Sequence, residues 1–424
     1  PLELRLIHAA DLHLGYTFGG LPARQRKILQ NDEPRLLERL VSLCLERDAD
    51  ALLLAGDVFE HERPGDDTVN ALRNALQRLE KAGILVFISP GNHDPYWPDS
   101  PWAETRWPDN TVCFGPSRSV FDWKAKRTMV YGAAFTGKFE KVSLWDELVP
   151  APSERQINLL CLHGDVVTEG QVSLYNPIRK SLLSTPHLDY AALDHIHKGL
   201  KADPAWPYER AAYAGSWRGR GFDETGPKGV LEVSIRKDSS TVGLPFAHPY
   251  RPENRTLNLS FIPMSDYSFL DVSLSRKGDM FTAESILKEL RSIAADRGVS
   301  FDHVLWRVRL AGDQGERRPA VGQLAASLEA ALFYLELTDR STLRGEKIVL
   351  SEHSLRGAFL RESDRAMDDS TLFELAVSLG LEAFDEKVFS ERVEQITVRA
   401  PQTITFHFTD GTVLEREWRS TAKK

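Results

Sequence analysis

The sequence predicts an α/β protein, because its first half alternates short apolar runs with patterns typical of amphipathic helices. Residues 4–10, 51–55 and 84–88 are largely apolar, which is typical of strands buried on both faces of a parallel sheet. Between them, residues 24–47 and 67–82 repeat leucine at helical spacing. Strands that alternate with helices form parallel sheets, and ligands bind at the carboxyl ends of such strands.

The remaining elements suggest three parts. Further strands are predicted at 158–162, 190–193, 211–214 and 229–235. Residues 245–260 carry three prolines and are interpreted as a linker, which gives a first domain over 1–245. A small α+β domain is predicted over 260–338, with strands at 269–274 and 304–310 and helices at 283–295 and 320–335. Residues 339–424 are predicted to form an acidic helical segment followed by a β-hairpin that turns at Asp410-Gly411.

Composition excludes several classes of protein. The 424 residues are 27% charged and 42% hydrophobic, a balance typical of globular domains rather than of disordered chains. No apolar run reaches the roughly 20 residues that a membrane helix needs, and the first residues lack a secretory signal pattern. Three scattered cysteines favour a reducing compartment, so we expect a cytoplasmic protein. The net charge of −8 gives no indication of nucleic-acid binding.

Five short polar stretches follow predicted strands of the first domain and contain residue types that bind metals. Taken singly, each is more readily explained as a capped loop or a turn. Together they would meet at one edge of the fold, where burying so many Asp and His side chains without a cation would be costly. Imidazole and carboxylate ligands suit Mn, Fe or Zn better than Ca or Mg. The stretches are Asp11-Leu12-His13, Gly56-Asp57, Gly91-Asn92-His93-Asp94, His163-Gly164-Asp165 and His195-Ile196-His197.

The order and spacing of these motifs, with Tyr213-Ala214-Gly215-Ser216, resemble the calcineurin-like metallophosphoesterases. Within that superfamily the chain is most similar to the SbcD-like DNA repair nucleases, and more narrowly to YhaO-type exonucleases. The resemblance covers residues 4–236 and extends loosely through the α+β part. It implies a layered α/β/β/α sandwich with a small α+β capping domain, followed here by the C-terminal helical and hairpin extension.

The resemblance also assigns roles to individual residues around two divalent metal ions, with manganese as the expected metal. It implies that Asp57 bridges the two ions and that His93 faces the scissile phosphate without binding metal. Asp94 would then orient His93, or else cap a turn. The ligands of the first ion would be Asp11, His13 and His197, and those of the second Asn92, His163 and His195.

Two positions depart from the family pattern. Repair nucleases of this group often carry a histidine three residues after the bridging aspartate, where it positions substrate. Here that position is Glu60, followed by His61. Either His61 substitutes for the family's histidine through a shifted backbone, or the contact with substrate is absent. The family's glycine before the paired histidines is Asp194, which could distort the pair, add polarity behind it, or point outward; the last interpretation is slightly favoured.

Candidate DNA contacts lie beside the predicted metal loops. Lys198, Arg218 and Arg220 could follow phosphates, and Trp217 could stack on an unpaired base. The equally weighted alternative is an ordinary solvated surface in which the arginines form salt bridges.

The sequence therefore favours a manganese-dependent DNA phosphodiesterase. The resemblance implies a 3′-to-5′ exonuclease with some single-strand endonuclease activity, a homodimer, and an SbcC-like coiled-coil ATPase partner bound near residues 336–388. One alternative is a phosphoesterase for small phosphoesters or cyclic nucleotides. Another is a non-catalytic DNA-end tether whose site is degraded at Glu60 and Asp194.

Overall fold

A computed structural model describes most of the first 341 residues and three strands near the C-terminus. The described residues are 2–145, 156–185, 188–199, 210–237, 255–277, 281–313, 319–341, 393–399, 403–408 and 413–417. The chain divides into two compact units. The first comprises Pro1–Val272, Ala283–Val308 and Ala325–Leu337, and the second Ser273–Thr282, Arg309–Leu324 and Thr338–Lys424. The division into domains at 245 and 338 stays a prediction.

The first unit contains a six-stranded sheet built on the apolar runs of the sequence. Four strands are parallel: β1 (Leu2–Ala9), β2 (Ala51–Leu54), β3 (Leu85–Ile88) and β4 (Thr111–Cys113). Two further strands, β12 (Gly229–Lys237) and β13 (Arg255–Pro263), extend it antiparallel, in the order β13-β12-β1-β2-β3-β4.

A second, five-stranded sheet lies in the same unit. It consists of β5 (Ser119–Trp123), β6 (Thr128–Gly132), β7 (Ile157–His163), β10 (Tyr190–Asp194) and β11 (Ala211–Tyr213). The strand order is β11-β10-β7-β6-β5, and all pairs are parallel except the β5–β6 hairpin. Two short strands, β8 (Val166–Val167) and β9 (Ile178–Arg179), pair separately.

The first predicted helix of this unit is divided into two in the structure. The region 24–47 forms two helices, α1 (Ala23–Asn31) and α2 (Glu33–Glu46), rather than one. Pro34 lies in the first turn of α2, where its missing N–H costs nothing, whereas inside one continuous helix it would remove a backbone hydrogen bond. Within residues 2–237 the helices that follow are α3 (Asp66–Lys81), α4 (Pro101–Glu104) and α5 (Lys180–Leu183).

Three hydrophobic cores define the layers. The first packs α2 and α3 against the outer face of the six-stranded sheet, through Leu40, Leu76 and Leu52. The second lies between the two sheets, and the third packs α5 against the outer face of the five-stranded sheet. This confirms the predicted α/β/β/α sandwich.

The interpretation of 245–260 as a linker is wrong for residues 255–260, which belong to β13 at the edge of the first sheet. Leu257, Leu259 and Phe261 alternate along this strand and pack against the core between the sheets. Alternation is the pattern of a half-buried edge strand, and it outweighs the turn signals of the nearby prolines. Residues 245–254 lie outside the described part of the chain.

The α+β region contains β14 (Ser268–Lys277), α6 (Ala283–Asp296), β15 (Val304–Asp313), α7 (Val321–Glu329) and β16 (Tyr334–Asp339). Its sheet has the order β14-β15-β16. The predicted helix over 320–335 is too long, because the helix ends at Glu329 and the aromatic residues from Phe333 lead into β16. No helix among the described residues is long and apolar enough to cross a membrane.

The predicted C-terminal hairpin is present as β18 (Thr403–Phe408) and β19 (Val413–Glu417), which pair antiparallel. A third strand, β17 (Val393–Arg399), pairs antiparallel with β18. The turn at Asp410-Gly411 and the acidic helical segment over 342–392 lie outside the described residues.

A buried ion cluster anchors the five-stranded sheet to the edge of the other sheet, and we expect its loss to be strongly destabilising. Asp189 accepts hydrogen bonds from Lys237 Nζ at 3.1 Å, Arg255 Nη1 at 3.0 Å and the backbone N–H of Asn158 at 2.8 Å. In Asp189→Ala two buried cations lose this partner, so the free energy of unfolding should fall by about 3–5 kcal/mol. Urea unfolding of the first unit within the intact chain measures the change.

The control is Glu3→Ala. Glu3 forms an exposed ion pair with Arg236, also between two strands, and such pairs contribute at most about 1 kcal/mol. Equal losses in the two variants would contradict the role given to Asp189.

Candidate metal centre

The loops that follow β1 and β2 run side by side and bring their acidic and imidazole groups together. The N–H of Asp11 donates to Gly56 O at 3.1 Å, and the N–H of His13 donates to Asp57 O at 3.0 Å. Asp11, His13 and Asp57 all have φ between 45° and 47°, and His195 has φ 142°. Non-glycine residues rarely adopt such conformations, and those that do concentrate at functional sites.

Two glycines allow this close packing. A Cβ on Gly56 would lie 2.5 Å from His163 Nδ1, and a Cβ on Gly91 would overlap the carboxylate of Asp57. Any side chain at either position would push His163 or Asp57 away. Glycine here is therefore required by the approach of the backbone to the functional groups.

Four predicted ligands form one cluster. Potential ligand atoms of Asp11, His13, Asp57 and His197 all lie within 4.8 Å of one another. His197 Nε2 is 3.5 Å from Asp11 Oδ2, and His13 Nε2 is 3.9 Å from Asp57 Oδ2. These residues come from the ends of β1 and β2 in one sheet and of β10 in the other, so the site lies between the carboxyl ends of two sheets rather than at one sheet edge.

The donor atoms of this cluster fit a cation. Both oxygens of Asp11 and Nε2 of His13 are buried. Among the described residues, no N–H or hydroxyl group donates a hydrogen bond to them. Leaving a buried carboxylate without a donor is costly unless an ion satisfies it. Burial, followed by the nearby charges of Asp194 and Asp57, raises the pKa of Asp11, and the positive charge of Arg220 does not outweigh them.

The predicted ligands of a second ion meet around Asp57. Nε2 of His163 lies 3.0 Å from Asn92 Oδ1 and 3.3 Å from Asp57 Oδ2. The imidazole rings of His163 and His195 are in edge contact, with centroids 5.2 Å apart. Asp57 is therefore next to both predicted ligand sets, as a bridging carboxylate must be.

A histidine binds a metal ion through a neutral imidazole, and the surroundings of His13 and His195 favour that neutral form. Burial lowers the pKa of His13 to about 4, although a hydrogen bond to Glu60 acts in the opposite direction. Burial, followed by the positive charge of His163, lowers the pKa of His195 to about 4. For His163 burial alone would lower the pKa, but the carboxylate of Asp57 outweighs it and raises the pKa to about 9. A cation that binds Asp57 thus competes with this proton.

Asp94 does not orient His93. One oxygen of Asp94 accepts hydrogen bonds from the N–H groups of Val58 and Phe59, at 2.8 and 3.0 Å, and the other accepts from Gly91 at 2.8 Å. The carboxylate therefore joins two loops of the site, which is the turn-capping alternative and not the catalytic role predicted for it.

Asp194 does not point outward either. Its side chain is fully buried, and its oxygens accept hydrogen bonds from the N–H groups of His195 at 2.9 Å and Gly215 at 2.7 Å. It connects the loop of the paired histidines to the loop after β11. The favoured interpretation of this departure from the family pattern was wrong, because two backbone donors need an acceptor at this position.

Two predicted DNA contacts are buried. Trp217 is fully buried and donates its indole N–H to Leu12 O at 2.7 Å. Arg218 is 3% exposed, and its guanidinium contacts Glu33 at 2.5 Å and the ring of Phe18. Neither can reach a nucleic acid, so both predictions are wrong. A Trp-Arg pair beside a metal loop looks the same in sequence whether it serves the core or the surface.

The other candidates are placed differently. Lys198 and His61 are exposed, and Lys198 lines a cavity of about 370 Å³ together with His197 and Lys228. Arg220 is nearly buried and lies within the site, where it contacts Glu60, Glu224 and His197. No sequence motif points to Glu224, because a carboxylate behind a metal ligand has no motif of its own.

Comparison with known proteins agrees with this geometry. Residues 4–208 match the sequence model of the calcineurin-like phosphoesterase family. These residues form a calcineurin-like phosphoesterase domain. The phosphoesterase domain contains every predicted metal ligand, and proteins of this family use divalent metals.

Two curated relatives extend the similarity. The chain is 26% identical over 256 residues to an uncharacterized metallophosphoesterase, YhaO, of Bacillus subtilis, which covers 58% of this chain and 61% of the relative. It is 37% identical over 250 residues to the DNA double-strand break repair protein Mre11 of Haloferax volcanii, covering 55% of this chain and 50% of the relative. The matches thus span less than two thirds of either relative. They support the predicted resemblance to the SbcD-like and YhaO-type proteins.

Proposed function

We propose that the chain is a metal-dependent nuclease that hydrolyses phosphodiester bonds of DNA at ends. The observation that carries the proposal is the cluster of Asp11, His13, Asp57 and His197, in which no N–H or hydroxyl group of the described residues donates to either oxygen of Asp11 or to Nε2 of His13. The DNA substrate is supported by similarity to proteins named for double-strand break repair. Manganese is the proposed metal, since imidazole and carboxylate ligands suit it.

In this proposal Asp11, His13 and His197 would hold one ion, Asn92, His163 and His195 would hold the other, and Asp57 would be shared between them. Two such ions, when bound, lower the pKa of water and stabilise the attacking and leaving oxygens of an in-line displacement. The amide of Asn92 adds no negative charge, which helps an anionic phosphodiester to approach.

His93 is the proposed catalytic residue. Its backbone N–H donates to Asp57 Oδ1 at 2.9 Å, and its Nδ1 lies 3.1 Å from Glu60 O. When Nδ1 donates to that carbonyl, Nε2 remains for the substrate. The side chain is 38% exposed, whereas His13 beside it is buried. In its protonated form His93 can therefore stabilise charge on the phosphoryl oxygens or donate a proton to the leaving oxygen.

The test compares substrates and metals in one experiment. The full chain is stripped of metal with a chelator, resupplied with Mn²⁺, and incubated with end-labelled linear duplex, closed circular duplex, single-stranded DNA, a cyclic nucleotide and a small aryl phosphoester. We expect shortening of the linear duplex that requires resupplied metal. The labelled products give the strand polarity, for which 3′-to-5′ is proposed.

The alternatives predict other results. Hydrolysis of the aryl phosphoester or the cyclic nucleotide, with intact DNA, would support the small-substrate phosphoesterase. Retention of DNA in a binding assay without any hydrolysis would support the end tether. Fe²⁺ and Zn²⁺ in parallel samples decide whether manganese is preferred.

The partners are also proposals. We infer an SbcC-like coiled-coil ATPase as partner, a homodimer, and a cytoplasmic location. The segment proposed to bind the ATPase, 336–388, lies outside the described residues from 342 onward. Lys198 and His61, both exposed beside the site, are the remaining candidates for contact with DNA.

A further inference from the structure

Two of the proposed ligand histidines, His13 and His197, each have a glutamate carboxylate beside Nδ1. Nδ1 of His13 lies 2.7 Å from Glu60 Oε2, and Nδ1 of His197 lies 2.8 Å from Glu224 Oε1. In both imidazoles Nε2 is the nitrogen that faces the acidic cluster, 3.9 Å from Asp57 in one case and 3.5 Å from Asp11 in the other. Each carboxylate therefore stands behind a histidine, on the side opposite to the cluster.

One arginine joins the two carboxylates. Arg220 Nη1 lies 3.4 Å from Glu60 Oε2, and its Nη2 and Nε lie 2.7 and 3.0 Å from Glu224 Oε1. The side chains of Arg220, Glu60 and Glu224 are only 10%, 13% and 6% exposed. Water therefore screens these contacts little, and the guanidinium offsets the cost of burying two carboxylates.

The position of Glu224 is further restrained. Its second oxygen accepts hydrogen bonds from Ser216 Oγ and from the backbone N–H of Arg220, each at 3.2 Å. Ser216 and Arg220 therefore hold the carboxylate in place behind His197.

A choice between two hydrogen bonds sets the tautomer of His197. Arg220 Nη2 also lies 2.6 Å from His197 Nδ1 and 3.2 Å from His197 Nε2. Since Nδ1 carries either a hydrogen or a free lone pair, it can donate to Glu224 or accept from Arg220, but not both. Ligation through Nε2 by a neutral imidazole requires the hydrogen on Nδ1, which selects the bond to Glu224.

We propose that Glu60, Arg220 and Glu224 form a clamp that fixes the tautomer and orientation of His13 and His197 for one of the two metal ions. This inference rests on the proposed metal-dependent function. It also gives a role to Glu60, which stands where related nucleases carry a histidine: in this chain the position supports a ligand instead of contacting substrate. Glu60, Arg220 and Glu224 are positioning residues.

The test is a titration of the metal-stripped full chain with Mn²⁺, followed by electron paramagnetic resonance of the free ion and by calorimetry. We expect Glu60→Ala and Glu224→Ala each to weaken one of two Mn²⁺ affinities by about 10- to 100-fold, with a smaller effect on the other. Glu60→Gln, which keeps an oxygen that can accept from Nδ1, should weaken it less than Glu60→Ala. The metal-free unfolding temperature shows whether each variant folds.

The matched controls are Glu62→Gln and Asp223→Asn. Both remove a negative charge within two residues of the clamp, and both side chains are exposed. Unchanged affinity in Glu60→Ala and Glu224→Ala, or an equal loss in the controls, would overturn the clamp. If Glu224→Ala does not fold, Glu60→Ala carries the test, because the side chain of Glu60 is less buried than that of Glu224.

The same samples separate this inference from the proposed function. Cleavage of linear duplex by the wild-type chain, together with unaltered affinities in the clamp variants, would reject the clamp and keep the nuclease. Affinity losses in the variants, with no cleavage of DNA by the wild-type chain, would reject the nuclease and keep the clamp.

Discussion

Replacing Asp11 with asparagine should abolish hydrolysis without destabilising the metal-free chain. The carboxylate is the proposed ligand of one ion, and a neutral amide binds that ion far less tightly. Because a metal ion contributes several kcal/mol of transition-state stabilisation, kcat for cleavage of linear duplex should fall at least about 10³-fold. In the absence of metal the same change replaces a buried carboxyl group whose ionisation is disfavoured by burial and by the nearby charges of Asp194 and Asp57.

The unfolding temperature of the metal-free variant should therefore equal or exceed that of the wild type. Asparagine also tolerates the left-handed backbone at this position, where φ is 45°. Calorimetric unfolding with and without Mn²⁺ measures both effects, because only the wild type should gain the full stabilisation that bound metal provides.

A matched control is Asp48→Asn, because Asp48 is exposed and has φ 47°. This variant should behave like the wild type in activity and metal binding. A marked destabilisation of metal-free Asp11→Asn would show that the carboxylate supports the fold rather than a cation.

The site could be located from the sequence because the ends of the predicted strands can be recognised there. Each apolar run that was interpreted as a strand is one, and Asp11, Asp57 and His163 lie at or just after the ends of β1, β2 and β7. The division of these strands between two sheets was not visible, since a run such as 51–55 and one such as 158–162 are equally apolar. Pairing depends on contacts between distant segments, which local composition does not record.

The sequence alone could not predict which side chains near the site are buried. Trp217 and Arg220 are separated by three positions, yet one packs in the core and the other contacts two carboxylates of the site. The place of each side chain depends on partners supplied by other loops, among them Leu12 and Glu60. Asp94 and Asp194 show the same limit, because their acceptor roles require knowing where unpaired backbone N–H groups lie.

His93→Gln should lower kcat by about 10²- to 10⁴-fold while leaving metal binding intact. The glutamine keeps the backbone N–H that donates to Asp57, so the geometry around that carboxylate is preserved. It lacks an imidazole that can carry a proton to the leaving oxygen. Cleavage rates at saturating DNA, together with Mn²⁺ content per chain, measure the two effects separately. Glu62→Gln is the control, because Glu62 is exposed in the same loop as Glu60.

The measurement of metal content decides between two roles for His93. Ligand atoms of His13, Glu60 and His93 also lie within 4.8 Å of one another, so this trio is a second arrangement that could hold an ion. If His93 were a ligand there, His93→Gln would lower Mn²⁺ content along with kcat. The 38% exposure of its side chain and the 3.1 Å separation of Nδ1 from a backbone carbonyl instead leave Nε2 free at the surface of the site. A loss of kcat at full metal content, with little change in KM, is therefore the result expected of a group that acts on the phosphoryl transition state.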